Sequence, residues 1–205
     1  MEQEKHQACL LLGSNIQPEQ NIPRAVAHLQ RQLTVLQASS IWQSDAMGSS
    51  DPAFLNVALL VSTPLDADAL KEQVIHPLEA QLGRVRTEDK NAPRTIDIDI
   101  ILFDEMLLDQ TLWKYAHRAV PVAELLRGYR SDSGEYLKDA ALRLARATPI
   151  SARKDISIYP DPFTSKKVAS NQLAYRMIEM NKLKVTQVLP VKKQVSFWIL
   201  SSRKN

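Results

Sequence analysis

Cysteine, leader-like segments and long apolar runs are scarce in this sequence. Cys9 is the single cysteine among 205 residues, so the chain has no second thiol with which to close an internal disulfide. It lies in a short apolar run, which predicts a buried structural thiol rather than a nucleophile. No apolar run approaches the roughly 20 residues of a membrane-spanning helix, and no opening stretch has the pattern of a secretory leader. We therefore expect a globular protein of the cytoplasm with no membrane partner.

Basic residues are unevenly distributed along the chain. Residues 161–205 hold 9 Lys and Arg against 2 Asp and Glu, whereas residues 1–160 hold 17 against 21. This break predicts a body over residues 1–158 and a basic C-terminal extension over residues 159–205. The extension is compatible with disorder, an added edge strand, a basic arm for an acidic partner, or a segment without function. Its basic residues lack interleaved aromatics, so we do not expect nucleic acid as a partner.

The spacing of apolar residues in the body predicts an α+β fold. Strands are expected at 8–12, 34–43, 54–62 and 96–103, and amphipathic helices near 18–33 and 66–82. A hairpin partner at 106–108 and helices at 120–126 and 135–147 follow. The order strand, helix, strand, strand, helix, strand, with two helices on one face of an antiparallel sheet, is the ferredoxin-like plan. The later helices are expected as C-terminal additions to it.

The last predicted strand of the body carries two acidic residues. Asp97 and Asp99 alternate with isoleucines. Because strand side chains switch faces at every residue, the two carboxylates are expected on one face and the isoleucines in the core. Each ionised carboxylate raises the electrostatic cost of the other, and a divalent ion can compensate both. Oxygen ligands suit magnesium, so the pair predicts a magnesium site.

Three arginines precede the two aspartates. Gly83 is expected to end the 66–82 helix, which places Arg84 and Arg86 in the loop just beyond it and Arg94 at the far end of that loop. Their planar and permanent charges suit phosphate oxygens. A surface loop is the plainer interpretation, but three arginines beside a carboxylate pair favour a phosphate site.

The 54–62 strand carries one amide among apolar residues. Phe54 and Asn56 are expected on the same face of this strand. Asn56 needs hydrogen-bond partners, either backbone groups in the core or a flat polar ligand held against Phe54, and the spacing does not choose between them. The preceding stretch, 44–52, is too long for a tight hairpin and is rich in turn residues, as are many loops that hold substrate.

These stretches together resemble the 6-hydroxymethyl-7,8-dihydropterin pyrophosphokinase family, which transfers the terminal diphosphate of ATP to a pterin alcohol. The resemblance rests on Gly13-Ser14-Asn15, on Phe54-Leu55-Asn56, and on Leu82-Gly83-Arg84-Val85-Arg86 followed by Ala92-Pro93-Arg94-Thr95-Ile96-Asp97-Ile98-Asp99-Ile100. The last stretch is highly specific, and the match covers roughly residues 8–150. It implies the ferredoxin-like fold and an ATP-dependent diphosphotransferase of folate biosynthesis.

The resemblance also implies roles for single residues. The catalytic set would be Arg84, Arg94, Asp97 and Asp99, with both aspartates holding two magnesium ions that bridge the ATP phosphates. The pterin would contact Ser44, Asp45, Met47, Phe54 and Asn56, with the Phe54 ring stacked on it. ATP would also contact Glu79, Arg86, Ile100 and His117, although the spacing of Glu79 alone fits a solvated helix face equally well. The expected partners are the two small substrates, and the expected oligomeric state is a monomer or a weak dimer.

A catalytically silent module with the same fold is the alternative. Such a module would bind a nucleotide or a pterin and act through the basic extension. The joint presence of Asp97, Asp99, Arg84 and Arg94 favours the enzyme, because a module relieved of catalysis has no physical need for two carboxylates beside an arginine cluster.

Overall fold

The computed structural model describes residues 5–45, 52–85 and 92–158. Within these ranges the chain forms one antiparallel sheet of seven strands. The strands are β1 (His6–Ser14), β2 (Thr34–Ala38), β3 (Trp42–Ser44), β4 (Phe54–Thr63), β5 (Asp97–Phe103), β6 (Met106–Leu107) and β7 (Ile150–Ala152). The four longer strands expected from the sequence therefore all form, with the 34–43 stretch divided into β2 and β3.

The central strands follow the ferredoxin-like order. β5, β1, β4 and β2 lie side by side, and β1 pairs with both β4 and β5 along most of its length. β2 and β3 pair with β4 one after the other along its length, so together they take the place of one edge strand. The predicted fold class is confirmed.

Two short strands widen the sheet, one at each edge. β6 turns back from β5 through Asp104 and Glu105, whose φ values of 45° and 69° belong to a tight hairpin turn, and this hairpin is the one that the sequence predicts. β7 pairs with β3 and was absent from the predicted elements. A strand of three residues shows too little alternation to be recognised from sequence, so its existence depends on the edge of β3 that it covers.

Helices cover both faces of the sheet. The apolar side chains of α1 (Pro18–Gln32), α2 (Ala67–Leu70) and α3 (His76–Gln81) pack on one face, and those of α4 (Ala116–Leu125) and α5 (Leu137–Ala147) pack on the other. Each strand divides its apolar residues between the two layers, as β4 does with Leu59 on the first face and Ala58 on the second. The C-terminal helical additions thus close the face that the ferredoxin-like plan leaves open.

The predicted 66–82 helix forms with one irregular turn. Asp66 caps its N-terminus, since its Oδ1 accepts a hydrogen bond from the backbone N–H of Ala69 at 2.8 Å. A π-helical turn, Lys71–Ile75, separates α2 from α3 just before Pro77. Proline has no N–H to give to an α-helical ladder, and the wider turn interrupts the regular α-helical hydrogen bonding just before it.

Gly83 ends this helical segment, as the sequence predicts. Its φ of 78° is left-handed, and its backbone N–H donates to the carbonyl of Ala80 at 3.0 Å. The N–H of Arg84 donates to the carbonyl of Glu79 at 3.0 Å, which completes a Schellman closure. Arg84 therefore leaves the helix end in a defined direction.

Cys9 is buried in the core of the second face, at 1% exposure. Burial raises the pKa of its thiol to about 12, because a thiolate is poorly solvated there. The thiol is therefore protonated and unreactive at neutral pH, which confirms the predicted structural role.

Some predictions fall outside the described residues. Met47, Arg86 and the whole extension 159–205 belong to this group. The helices of the described ranges are all too short or too polar to cross a bilayer.

Candidate functional site

The turn after β1 fastens the loop that leads into β5. Ser14 Oγ donates to the carbonyl of Thr95 at 2.6 Å, and Asn15 Oδ1 accepts from the backbone N–H of Arg94 at 2.7 Å. The backbone N–H groups of Asn15 and Ile16 both donate to the carbonyl of Arg94 at 3.2 Å. Both backbone polar groups of Arg94 are thus fixed, so its side chain extends from a rigid base.

Gly13 forms the floor between two groups of polar side chains. It pairs with Asn56 on β4 and with Asp97 on β5, so the three residues make one row across three strands and share one face. Neighbouring strands lie about 4.8 Å apart, which puts the backbones of Asn56 and Asp97 about 10 Å from each other. A Cβ at Gly13 would lie 3.3 Å from Asn56 Oδ1 and 4.0 Å from the Phe54 ring. The glycine therefore leaves an open space over β1 between the Asn56 amide and the Asp97 carboxylate, which we call the shelf.

The predicted pterin residues of β3 and β4 come together on one side of this shelf. Ser44 pairs with Phe54, and Asn56 Nδ2 donates to Ser44 Oγ at 3.1 Å. Ser44 and Asn56 are buried, whereas Phe54 is half-buried with the guanidinium carbon of Arg94 5.9 Å from its ring centroid. The structure thus gives Asn56 a partner that neither sequence alternative named, a buried hydroxyl. Asp45, which follows Ser44, is exposed.

Asp97 lies on the other side of the shelf and is shared by two arginines. Its Oδ1 pairs with Arg84, and its Oδ2 lies 2.7 Å from Nη1 of Arg94. Arg84 also donates to the carbonyl of Ile96 at 2.9 Å. The three side chains are between 16% and 21% exposed, so water screens their charges less than it would on an open surface. Three of the four predicted catalytic residues are therefore in direct contact.

Glu79 is buried and contacts both Arg84 and the backbone of β5. Its Oε1 accepts from the backbone N–H of Ile98 at 2.9 Å and from Nη1 of Arg84 at 3.3 Å. The residue is 4% exposed, so the solvated helix face that its spacing allowed is wrong. Glu79 instead joins α3 to β5 and helps to position Arg84. The ATP contact predicted for it remains a prediction.

Asp99 lies one pleat further along β5 and is paired with Arg118 on the first turn of α4. Nη2 of Arg118 lies 2.9 Å from Asp99 Oδ2, and its Nη1 lies 2.5 Å from Asp109 Oδ2. Burial raises the pKa of Asp99 and the charge of Asp97 raises it further, while Arg118 opposes both. The charge of Asp97 thus disfavours the charged form of Asp99, in the sense that the alternation of β5 predicts, and a bound cation would relieve this.

Asp109 was not singled out from the sequence. Its side chain accepts hydrogen bonds from Thr111 and caps the 3₁₀ helix Gln110–Trp113. Aspartate is a favoured N-cap residue, and this preference was the available signal. That Asp109 also faces Arg118 depends on the tertiary structure.

Asp97 and Asp99 are the carboxylates of the described residues that face a possible metal at this place. Among the described residues, no group of three or more His, Cys, Asp and Glu side chains converges. Asp97 and Asp99 nonetheless fit magnesium, which is commonly held by one or two carboxylates while waters and substrate phosphates complete its octahedron. The remaining ligands would therefore come from water and from a phosphorylated substrate.

Ile100 and His117 occupy different surroundings. Ile100 is 5% exposed in the core of the first face, the side of β5 opposite to Asp97 and Asp99. His117 stacks on Tyr115 with ring centroids 5.5 Å apart. Burial lowers the pKa of His117 to about 4, and the charge of Arg118 contributes to the lowering. The ATP contacts predicted for Ile100 and His117 remain predictions.

Replacing His117 by phenylalanine is expected to reduce the loss of stability in acid. The pKa of His117 is about 4 in the folded chain against an ordinary value of 6.5, so the unfolded chain binds more protons between these values. The free energy of unfolding therefore falls as the pH drops through this window, by about 3 kcal/mol in total. Urea unfolding at pH 7 and pH 4.5 measures the loss, and equal losses in wild type and variant would contradict the prediction.

Comparison with known proteins agrees with this geometry. The family model described as 7,8-dihydro-6-hydroxymethylpterin-pyrophosphokinase matches residues 9–127. The chain belongs to this family. The matched range contains both sides of the shelf, from the Gly13 turn through Asn56 and Asp97 to Arg118. The family predicted from the sequence is thereby confirmed.

Curated relatives carry the corresponding enzyme name. A Bacillus subtilis protein named 2-amino-4-hydroxy-6-hydroxymethyldihydropteridine pyrophosphokinase is 40% identical over 101 residues, which are 47% of this chain and 59% of that protein. A Pseudomonas aeruginosa protein of the same name is 35% identical over 144 residues, 62% of this chain and 85% of that protein. The match to the first relative thus spans less than two thirds of its length.

Solved structures show the same fold. The crystal structure of wild-type Plasmodium falciparum HPPK-DHPS with pteroate superposes with a TM-score of 0.56 at 10% identity, over 71% of this chain and 43% of that chain. The structure of the same protein with pterin and p-hydroxybenzoate gives a TM-score of 0.55 at 10% identity, over 71% and 44%. At this identity the likeness supports the fold of the pyrophosphokinase family and nothing finer.

Proposed function

We propose that this chain transfers a diphosphate from ATP to 6-hydroxymethyl-7,8-dihydropterin, giving AMP and the pterin diphosphate in folate biosynthesis. The row Asn56, Gly13 and Asp97 carries the proposal. It sets an amide and an aromatic ring on one side of an open shelf, and a carboxylate with two arginines on the other. A flat polar acceptor and a polyphosphate donor need this pairing of surfaces, held at a fixed distance.

The acceptor side recognises a flat heterocycle through stacking and an amide. Phe54 offers its ring face, and Asn56, oriented by the Ser44 hydroxyl at 3.1 Å, offers amide groups to the polar edge of the pterin. Because Asn56 is buried, an acceptor without matching donors and acceptors would leave its amide unsatisfied. Asp45 and Met47, at the beginning of the adjoining loop, would complete the contacts.

The donor side binds phosphate oxygens. Arg84 and Arg94 both reach Asp97, so they lie where the phosphates of ATP would meet this carboxylate, and Arg86 would join them from the same loop. Two magnesium ions, bound through Asp97 and Asp99, would neutralise phosphate charge. The fixed arginines would stabilise the charge that spreads over the equatorial oxygens in the transition state. The pterin hydroxyl oxygen bonds to the β-phosphorus and loses its proton to water, and the bond from this phosphorus to the AMP oxygen breaks.

A coupled assay tests the function. AMP is expected to form from ATP only when magnesium and the hydroxymethylpterin are both present, in equal amount to the pterin diphosphate, as measured by chromatography. AMP formation without the pterin would contradict the proposal. Binding of both substrates without any AMP would instead support the silent module.

The predicted location, oligomeric state and partners of the chain belong to the same proposal. We place the chain in the cytoplasm, working as a monomer or weak dimer with its two small substrates as partners. The protonated and buried Cys9 supports a structure that does not depend on an oxidising compartment.

A further inference from the structure

Arg118 is paired with one of the two carboxylates that would hold magnesium. Its Nη2 lies 2.9 Å from Oδ2 of Asp99, and its side chain is 20% exposed. Among the residues that the structure describes, Arg118 is the one basic side chain in an ion pair with Asp99, whereas Asp97 has Arg84 and Arg94. A divalent cation approaching Asp99 therefore meets a positive charge that already contacts one of its two oxygens.

Asp109 holds the other arm of the same guanidinium group. Its Oδ2 lies 2.5 Å from Nη1 of Arg118, and its Oδ1 accepts from the backbone N–H of Thr111 at 2.8 Å and from the hydroxyl of that residue at 2.6 Å. Both carboxylate oxygens of Asp109 are thus engaged, and the group is fixed at the start of the 3₁₀ helix. If Arg118 releases Asp99, Asp109 still holds it close by.

We propose that Arg118 competes with the divalent cation for Asp99 and thereby lowers the metal affinity of the site. The inference rests on the proposed function, since it takes Asp99 as a metal ligand. A guanidinium and a metal ion on the same carboxylate repel each other, so the metal binds more weakly while Arg118 stays on Asp99 and more tightly when Arg118 withdraws. Its pair with Asp109 persists, so the exchange gives up one ion pair and is readily reversed.

The competition should make metal binding depend on whether ATP binds at the same time. A metal ion alone must displace Arg118 with the help of two carboxylates. A metal ion that arrives with phosphate oxygens brings further ligands, and the displaced guanidinium then has anionic oxygens within reach. We therefore expect the metal to bind weakly by itself and more tightly together with ATP.

Metal binding measured apart from catalysis tests this inference. Arg118→Met removes the charge and keeps an apolar stem, and we expect Mn²⁺ to bind this full-length variant roughly tenfold more tightly than wild type without nucleotide. The free ion is measured by electron paramagnetic resonance. Arg118→Lys keeps the charge and is expected to stay near the wild-type affinity. Arg143→Met removes an arginine from an exposed pair with Glu135 and serves as the matched control, with no change expected.

Each outcome of the experiment decides the point. Unchanged or weaker Mn²⁺ binding in Arg118→Met overturns the competition, and Arg118→Gln, which is neutral and still able to donate to Asp109, replaces it if the methionine variant does not fold. Wild-type protein that forms AMP, combined with no gain in the variant, overturns the competition and leaves the proposed function standing. Wild-type protein that binds no Mn²⁺ and forms no AMP overturns both.

Discussion

Replacing Asp97 by asparagine is expected to lower the rate of AMP formation on the order of 10³-fold. Asparagine keeps the shape of the side chain but removes the charge that pairs with two arginines and that, under the proposed function, would bind the metal. Both carboxylate oxygens of Asp97 are engaged, one by Arg84 and one by Arg94. The substitution therefore also disturbs the two arginines that are proposed to bind the phosphates. The measurement is the initial rate of magnesium-dependent AMP formation at saturating ATP and pterin.

The effect of this substitution should be confined to one side of the shelf. Asn56 lies across Gly13 from Asp97, and Phe54 is linked to Asp97 through Arg94, whose guanidinium carbon is 5.9 Å from the ring centroid. Binding of the pterin, measured by calorimetry, is therefore expected to remain within about threefold of wild type. Asp139→Asn, in the exposed first turn of α5, is the matched control and should leave the rate unchanged. A folded Asp97→Asn protein with nearly wild-type turnover would refute the role of this carboxylate.

Replacing Glu79 by leucine is expected to destabilise the fold by about 3 kcal/mol. Leucine would leave the buried N–H of Ile98 without its acceptor and Arg84 without one of its two carboxylate partners. Glu79→Gln keeps an oxygen for Ile98 and should cost only about 1 kcal/mol. The free energy of unfolding in urea at pH 7 measures both changes.

A neighbouring glutamate provides the control for Glu79. Glu72 lies in the preceding π-helical turn with 72% of its side chain exposed, in an (i, i+4) pair with His76. Glu72→Leu is expected to change the free energy of unfolding by less than about 0.5 kcal/mol. If Glu79→Leu instead left the free energy of unfolding at the wild-type level, the structural role inferred from the contacts of Glu79 with Ile98 and Arg84 would be wrong.

Several parts of the site could be predicted because they depend on short-range geometry. The alternation in β5 requires Asp97 and Asp99 to share a face whatever the partners of the strand are, since the pleat has a period of two residues. The end of the helical segment at Gly83 is equally local, because a left-handed residue closes the last turn. From these two features the sequence predicted that the two carboxylates share a face and that Arg84 begins the loop before them.

Other parts depended on strands that are distant in sequence. The spacing of Glu79 fitted a solvated helix face as well as the implied nucleotide contact, and the packing of α3 against β5 makes it a buried acceptor. Asn56 donates a hydrogen bond to the hydroxyl of Ser44 because β3 pairs with β4 in one particular register. Register depends on the whole sheet, so the sequence around Asn56 could not show whether its amide bonds to the core or to a ligand.

The sequence by itself determined the family, the ferredoxin-like order of elements, and the chemistry gathered between Gly83 and Phe103, because motif spacing and side-chain periodicity are local properties. The tertiary structure alone decided that Gly13 separates Asn56 from Asp97 in one row, and that Asp109 and Asp99 share Arg118. Both arrangements join side chains from different elements. Their distances follow from strand register and helix docking, which are set by burial over the whole body.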